Sequence, residues 1–141
     1  RCKIVYNKDE ILSVDYFPYK IRDIKSFKIV VDNSLDYSKK YLNRDKLDNL
    51  FLKKDSCDEI IILKNGVVTD TTIANIAIFY DGVWITSKNC LLEGTSRARL
   101  IEKKEIFVKD ISLDMLKKAS KIALMNAMID FYEIKDFRIE Y

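Results

Sequence analysis

Histidine is absent from the chain. That removes Ser-His-Asp and Cys-His catalysis, and every histidine-based zinc site, from the chemistry these residues can supply; no metal site is expected. Proline occurs once, at Pro18, and glycine three times. No Ser/Gly/Pro-rich stretch therefore reads as a linker or a low-complexity segment. Cys2, Cys57 and Cys90 form an odd set without CxxC spacing. They read as three free, core-facing thiols in a reducing compartment, with the cytoplasm as the expected location. No apolar run reaches the ~18 residues of a membrane span, so no membrane partner is expected. Net charge is low as well, because 25 basic residues face 22 acidic ones. The lysines alternate with Asp and Glu instead of clustering, so the pattern implies no nucleic-acid surface.

What is present suffices for a core. The 141 residues, 48% of them hydrophobic, fit one domain able to bury roughly two-thirds of its unfolded surface. "RCKIVY" and "ILSVDYF" flank "NKDE" as a hairpin, Pro18 ends the second run, and "SFKIVV" (26–31) reads as a strand. Leu47, Leu50, Phe51 and Lys54 follow a helical spacing that predicts a helix over 41–54. Asn65-Gly66 and Asp81-Gly82 each mark a hairpin tip, the second between runs at 73–79 and 83–86. Gly94 breaks the extended chain ahead of a helix over 96–104, and "EIFVKD" reads as a strand. Ser112 then caps "LDMLKKASKIALMNAMI", whose Leu113, Leu116, Ala119, Ile122 and Ala123 recur at helical intervals. "FYEIKDFRIEY" closes the chain as strand. The expected class is α+β, or mixed α/β, with a hairpin-rich sheet and flanking helices. Strands and helices do not alternate regularly, which argues against a doubly wound sheet.

Several polar residues have two local readings. Gly94-Thr95-Ser96 offers free N–H groups and hydroxyls at a helix start, which can cradle an anion or merely cap the helix; taken alone, the stretch favours the cap. Arg97 and Arg99 are two apart and point to different sides of that helix. Lys39 and Lys40 precede a predicted helix, where a cation is disfavoured. Such a place suits a neutral amine, as a nucleophilic or Schiff-base lysine requires, although adjacent lysines are more often solvated. Asp70 is a turn residue or a carboxylate aimed at a cationic heteroatom. Asn75 either points inward, and must find hydrogen bonds, or sits at a strand end.

In order along the chain, "DYSKKYLNR", "EIIILKNGVVTDTTIANIAIFYDGVWIT", "LLEGTSRARL" and "ALMNAMI" together resemble the fold type IV pyridoxal-phosphate enzymes, the class IV aminotransferase family. Within that family the likeness is to aminodeoxychorismate lyase and its relatives. The resemblance implies pyridoxal 5'-phosphate as cofactor and Lys40 as the lysine that holds it covalently and shuttles protons at the substrate α-carbon. Asp70 would stand where most members carry Glu, hydrogen-bonded to the protonated pyridine nitrogen. Gly94, Thr95 and Ser96 would seat the phosphate, Asn126 and Ala127 would form a second loop near it, and Asn75 would support the ring structurally. Arg44 would face the cofactor or a substrate carboxylate, and Lys39 would remain solvated.

On the same resemblance, residues 1–141 are one cofactor-binding large domain like that of the D-amino-acid aminotransferases, without the family's small N-terminal domain. The chain starts at Arg1 and enters a strand almost at once, which reads as the interior of a longer protein. The implied activity converts 4-amino-4-deoxychorismate to 4-aminobenzoate and pyruvate for folate synthesis. The alternatives are a branched-chain or D-amino-acid aminotransferase, and a non-catalytic scaffold retaining the fold. Implied partners are a small-molecule amino substrate, a second copy in a homodimer, and a fusion or pathway link to aminodeoxychorismate synthase.

Overall fold

Continuous apolar runs such as "EIIIL", "NIAIF" and "KIALM" can be satisfied only by strands covered on both faces, and that requirement organises the molecule. The computed structural model describes residues Arg1–Tyr141. Eleven strands and three helices follow one another: β1 (Cys2–Tyr6), β2 (Ile11–Tyr16), β3 (Ser26–Val31), α1 (Asp45–Phe51), β4 (Glu59–Lys64), β5 (Val67–Val68), β6 (Asn75–Tyr80), β7 (Val83–Ser87), α2 (Thr95–Glu102), β8 (Phe107–Lys109), α3 (Leu113–Lys118), β9 (Lys121–Asn126), β10 (Asp130–Ile134) and β11 (Arg138–Glu140). They form a five-stranded sheet in the order β10-β9-β6-β7-β8, a four-stranded sheet in the order β11-β3-β4-β5, and the separate β1-β2 ribbon. The fold is mixed α/β with flanking helices, as the sequence indicates.

Alternation along the strands divides the core into three. Ile61 and Leu63 of β4 meet Ile76 and Ile78 of β6, Ile122 and Leu124 of β9, and Phe27 of β3 in one cluster between the two sheets. On the opposite face of β4, Ile60 and Ile62 pack with Leu47 and Leu50 of α1 and with Leu35 and Tyr37. Beyond β6 and β9, Ala77, Ala123 and Met125 pack against Leu100 of α2. The layers therefore run helix, sheet, sheet, helix. Ile60, Ile61 and Ile62 are wholly buried, so Ile61→Ala should cost about 2–5 kcal/mol, to be read as a drop in the denaturation midpoint at unchanged slope.

Both hairpin tips form as expected, with positive φ at Asn65 (52°), Gly66 (79°), Asp81 (53°) and Gly82 (81°). Two expected helices are corrected. The helix over 41–54 begins only at Asp45 and tightens into a 3-10 turn at Leu52–Lys54, so Lys40 lies in the preceding loop and not at a helix N-terminus. Ser112 does cap a helix, its side chain accepting from the Met115 amide, but that helix ends at Lys118. Ala119 turns extended (φ −64°, ψ 129°), and residues 121–126 become β9, paired on one side with β6 and on the other with β10. Ile122 through Met125 are covered on both faces, and such a run shows no period-2 signature to separate it from a helix. The expected inward placement of the thiols holds only for Cys57; Cys90 is half-buried, and Cys2 is exposed on a ribbon that packs against neither sheet. No helix is long and apolar enough to cross a membrane.

Candidate functional site

The segment between β5 and β6 is shared by the two sheets. The Ile62 amide of β4 donates to the Asp70 carbonyl, while Asp70 bridges antiparallel to Asn75, the first residue of β6. Residues 71–74 close this crossing as a tight loop, pinned by the Thr71 hydroxyl, which donates to the Ala74 carbonyl at 3.0 Å. At the crossing opens a cavity of about 270 Å³. Tyr37, Lys40, Arg44, Leu47, Asp70, Asn75, Gly94, Thr95, Asn126 and Ala127 are among the residues that line it.

Asp70 is 4% exposed. Its Oδ1 accepts from Asn75 Nδ2 at 2.8 Å, and its Oδ2 accepts from the amides of Leu91 at 2.6 Å and Leu92 at 3.1 Å. A carboxylate has about four lone-pair sites, so three donors leave one open. Burial pushes its pKa up to about 6, opposed by the Asn75, Leu92 and Leu91 hydrogen bonds and by the charge of Arg97. The cavity lining thus holds a desolvated carboxylate that binds its proton more tightly than a solvated one does.

Asn75 joins this carboxylate to the other end of the cavity. The same Nδ2 also donates to the Leu92 carbonyl at 2.7 Å, and the amide oxygen occupies the space where a Cβ on residue 94 would stand. Glycine at 94 is therefore required by the close approach of Asn75. Gly94 starts α2 without a side-chain cap. The first intrahelical bond runs from the Ala98 amide to the Gly94 carbonyl, so the amides of Thr95, Ser96 and Arg97 precede the first i−4 partner. Thr95 lines the cavity, whereas Ser96 is buried behind it, only 5% exposed. The two arginines do diverge: Arg97 is buried, and Arg99 is exposed and paired with Asp130.

Lys40 and Lys39 are both exposed in the loop before α1, but only Lys40 borders the cavity. Arg44 is already engaged, donating from Nη2 to the Thr72 carbonyl at 2.9 Å and from Nη1 to the Tyr37 hydroxyl at 3.3 Å. Asn126 donates to the Ile73 carbonyl at 3.1 Å and accepts from the amides of Met128 and Ile129, tying the end of β9 to the 71–74 loop. Eight of the nine residues singled out from the sequence border one cavity; the ninth, Ser96, backs it.

Three contributors escape a sequence reading. Tyr37 supports Arg44, Leu91 and Leu92 hold Asp70 through backbone amides that carry no side-chain signature, and Glu59 reaches the site from the start of β4. Glu59 is wholly buried, accepts from the Thr72 hydroxyl at 2.7 Å, and pairs with Arg22 at 3.0 Å. The one available signal was a charge, Glu59, opening a four-residue apolar run.

Residues 11–137 match the profile of the class IV amino-transferase family. An uncharacterized protein of Haemophilus influenzae is 35% identical over 128 residues, which is 91% of this chain and 68% of that protein. A crystal structure of a provisionally named 4-amino-4-deoxychorismate lyase from Haemophilus somnus 129pt superposes with a TM-score of 0.84 at 40% identity, covering 90% of this chain and 65% of the other. A hypothetical aminotransferase from Mycobacterium tuberculosis, solved in its PLP-bound form, shares the fold at a TM-score of 0.68 and 16% identity, over 82% of this chain and 48% of its own. The chain therefore spans between 48% and 68% of the length of these three proteins.

Proposed function

Because the chain belongs to the class IV amino-transferase family, whose cofactor is pyridoxal 5'-phosphate, we propose that its cavity binds that cofactor between Lys40, Asp70 and the first turn of α2, and that the full protein is a 4-amino-4-deoxychorismate lyase. The observation that carries the reading is the convergence in one cavity of an exposed amine, a buried carboxylate with an open acceptor site, and a helix start without a side-chain cap. The residues fit the group. An anion suits the amides at the start of α2, a protonated ring nitrogen suits the remaining lone pair of Asp70, and a carbonyl carbon suits the Lys40 amine.

When bound, the cofactor supplies an electron sink for the pair left behind as a proton leaves the substrate carbon bearing the amino group. Lys40 would provide the amine that holds the cofactor and would take the proton from that carbon. Asp70, its carboxylate oriented by the Leu91 and Leu92 amides, would keep a proton on the ring nitrogen. Thr95 and Ser96 would hold the phosphate, with Asn126 and Ala127 nearby on the cavity lining. Arg44, oriented by Thr72 and Tyr37, presents a cation to a substrate carboxylate. For a lyase, loss of the proton is followed by breaking of the neighbouring ether C–O bond, so pyruvate departs and the ring becomes aromatic.

The lyase reading takes its support from the 40%-identical Haemophilus somnus relative. The fold shared with an aminotransferase favours amino transfer as the second reading. The full-length protein, given cofactor and 4-amino-4-deoxychorismate, should release pyruvate and 4-aminobenzoate in equal amounts without added keto acid. Keto-acid-dependent transfer of the amino group with no pyruvate formed would replace the first reading by the second.

A further inference from the structure

One buried charge has no part in the scheme above. Arg97, in the first turn of α2, is 7% exposed, although a helix N-terminus disfavours a cation. Arg97 and Leu100 stand three apart on the buried face of that helix. The guanidinium forms no salt bridge, its Nε–H is buried without a partner, and its Nη2 donates to the Ser87 carbonyl at 2.8 Å. Desolvating a guanidinium for one carbonyl contact is unfavourable, so a compensating interaction is required.

Ser87 shows where that interaction leads. Its hydroxyl donates to the Val68 carbonyl at 2.5 Å and accepts from the Asn89 amide at 3.1 Å. Arg97 thereby anchors the N-terminal end of the 87–92 loop, whose other end places the Leu91 and Leu92 amides on Asp70. The charged and titratable groups near Asp70 are Arg97 from α2, the Cys90 thiol, Glu93, and Lys40 and Arg44 on the cavity lining. Of these cations Arg97 alone is buried, and a buried charge escapes most solvent screening.

We propose that Arg97 is a positioning residue that acts on Asp70 in two ways, by fastening the loop whose amides orient its carboxylate and by placing a buried positive charge beside that loop. Its contribution to catalysis then runs through Asp70 and rests on the reading of Asp70 as the partner of the ring nitrogen. The influence of Arg97 on Asp70 is a property of the chain itself and is measurable without cofactor. Among the influences on this carboxyl, burial acts upward and Arg97 downward, which agrees in sign.

The experiment is a carboxyl carbon-13 NMR titration of Asp70 in the cofactor-free protein, comparing the native chain with Arg97→Met and Arg97→Lys. Arg97→Met should tighten proton binding at Asp70, moving its titration midpoint to higher pH, and Arg97→Lys should restore most of the native value because it keeps the charge. An unchanged midpoint in Arg97→Met, or a Lys variant no better than Met, overturns the proposal. If Arg97→Met does not fold at neutral pH, it should refold near pH 5, where Asp70 is protonated and needs no counter-charge. Failure to refold there also overturns it, since Arg97 would then be a packing element only. The Asp70 role is tested separately by the cofactor-dependent behaviour of Asp70 variants, so either can fail alone.

Discussion

Lys40→Ala should abolish both turnover and the visible absorption expected of the cofactor on a lysine, whereas Lys39→Ala should leave both close to native. The two side chains are adjacent and exposed, and neither forms an ion pair within the chain, yet only Lys40 borders the cavity. On the proposed reading, alanine at position 40 would remove the amine that would both hold the cofactor and move the substrate proton. The proton-transfer role alone corresponds to a loss on the order of 10²–10⁴-fold, and loss of the covalent hold adds to it. The absorption spectrum of the full-length protein with cofactor, read beside single-turnover kinetics, is the check. A band surviving in Lys40→Ala would move the covalent role to another lysine.

Asp70→Asn produces the second large effect, and it separates activity from stability. Asparagine cannot hold a proton on a ring nitrogen as a carboxylate does. Turnover should therefore fall on the order of 10²–10³-fold, the magnitude lost when a preorganised electrostatic partner is removed. Stability responds differently. Unfolded, this carboxyl titrates near 3.8, and in the folded cofactor-free chain burial raises it to about 6. The fold thus binds its proton more tightly, so the stability this group contributes is fully present below about 3.8 and is lost as pH rises through about 6. The difference is of order 3 kcal/mol. Asp32 and Asp58 have the opposite sign, because hydrogen bonds led by the Ser34 and Ser26 hydroxyls hold them below the usual carboxylate range. Their contribution is lost as pH falls, outside the Asp70 window. The melting temperature of the cofactor-free protein should therefore decline from about pH 4 to about pH 7, and Asp70→Asn should flatten that decline. Parallel profiles would remove Asp70 as its source.

The outcome for individual residues shows which physical information the sequence carries. Turn chemistry is local, so Asn65-Gly66 and Asp81-Gly82 mark their hairpins without help from the rest of the chain. The start of α3 is local too, with Ser112 capping it as its hydroxyl predicts, whereas the start of α1 at Asp45 was not legible. Strand β9 is not local. Its Ile122-Ala123-Leu124-Met125 run is apolar on both faces because a sheet neighbour, the inter-sheet core and α2 surround it, and none of those is visible in the run itself. The lining of the cavity was legible through the family resemblance, which singled out Lys40, Asp70 and Asn75. It was illegible where backbone does the holding, as with Leu91 and Leu92, and where a residue such as Glu59 arrives from a distant strand.

The space that the Asn75 side chain takes beside Gly94 has a consequence for how this sequence can change over evolutionary time. A methyl group at position 94 would collide with the Asn75 amide, and that amide also grips Asp70 and the Leu92 carbonyl. A substitution at the helix start would therefore be transmitted to the buried carboxylate without touching it. A side chain at position 94 is tolerable only together with a change at position 75 that vacates the space of its amide.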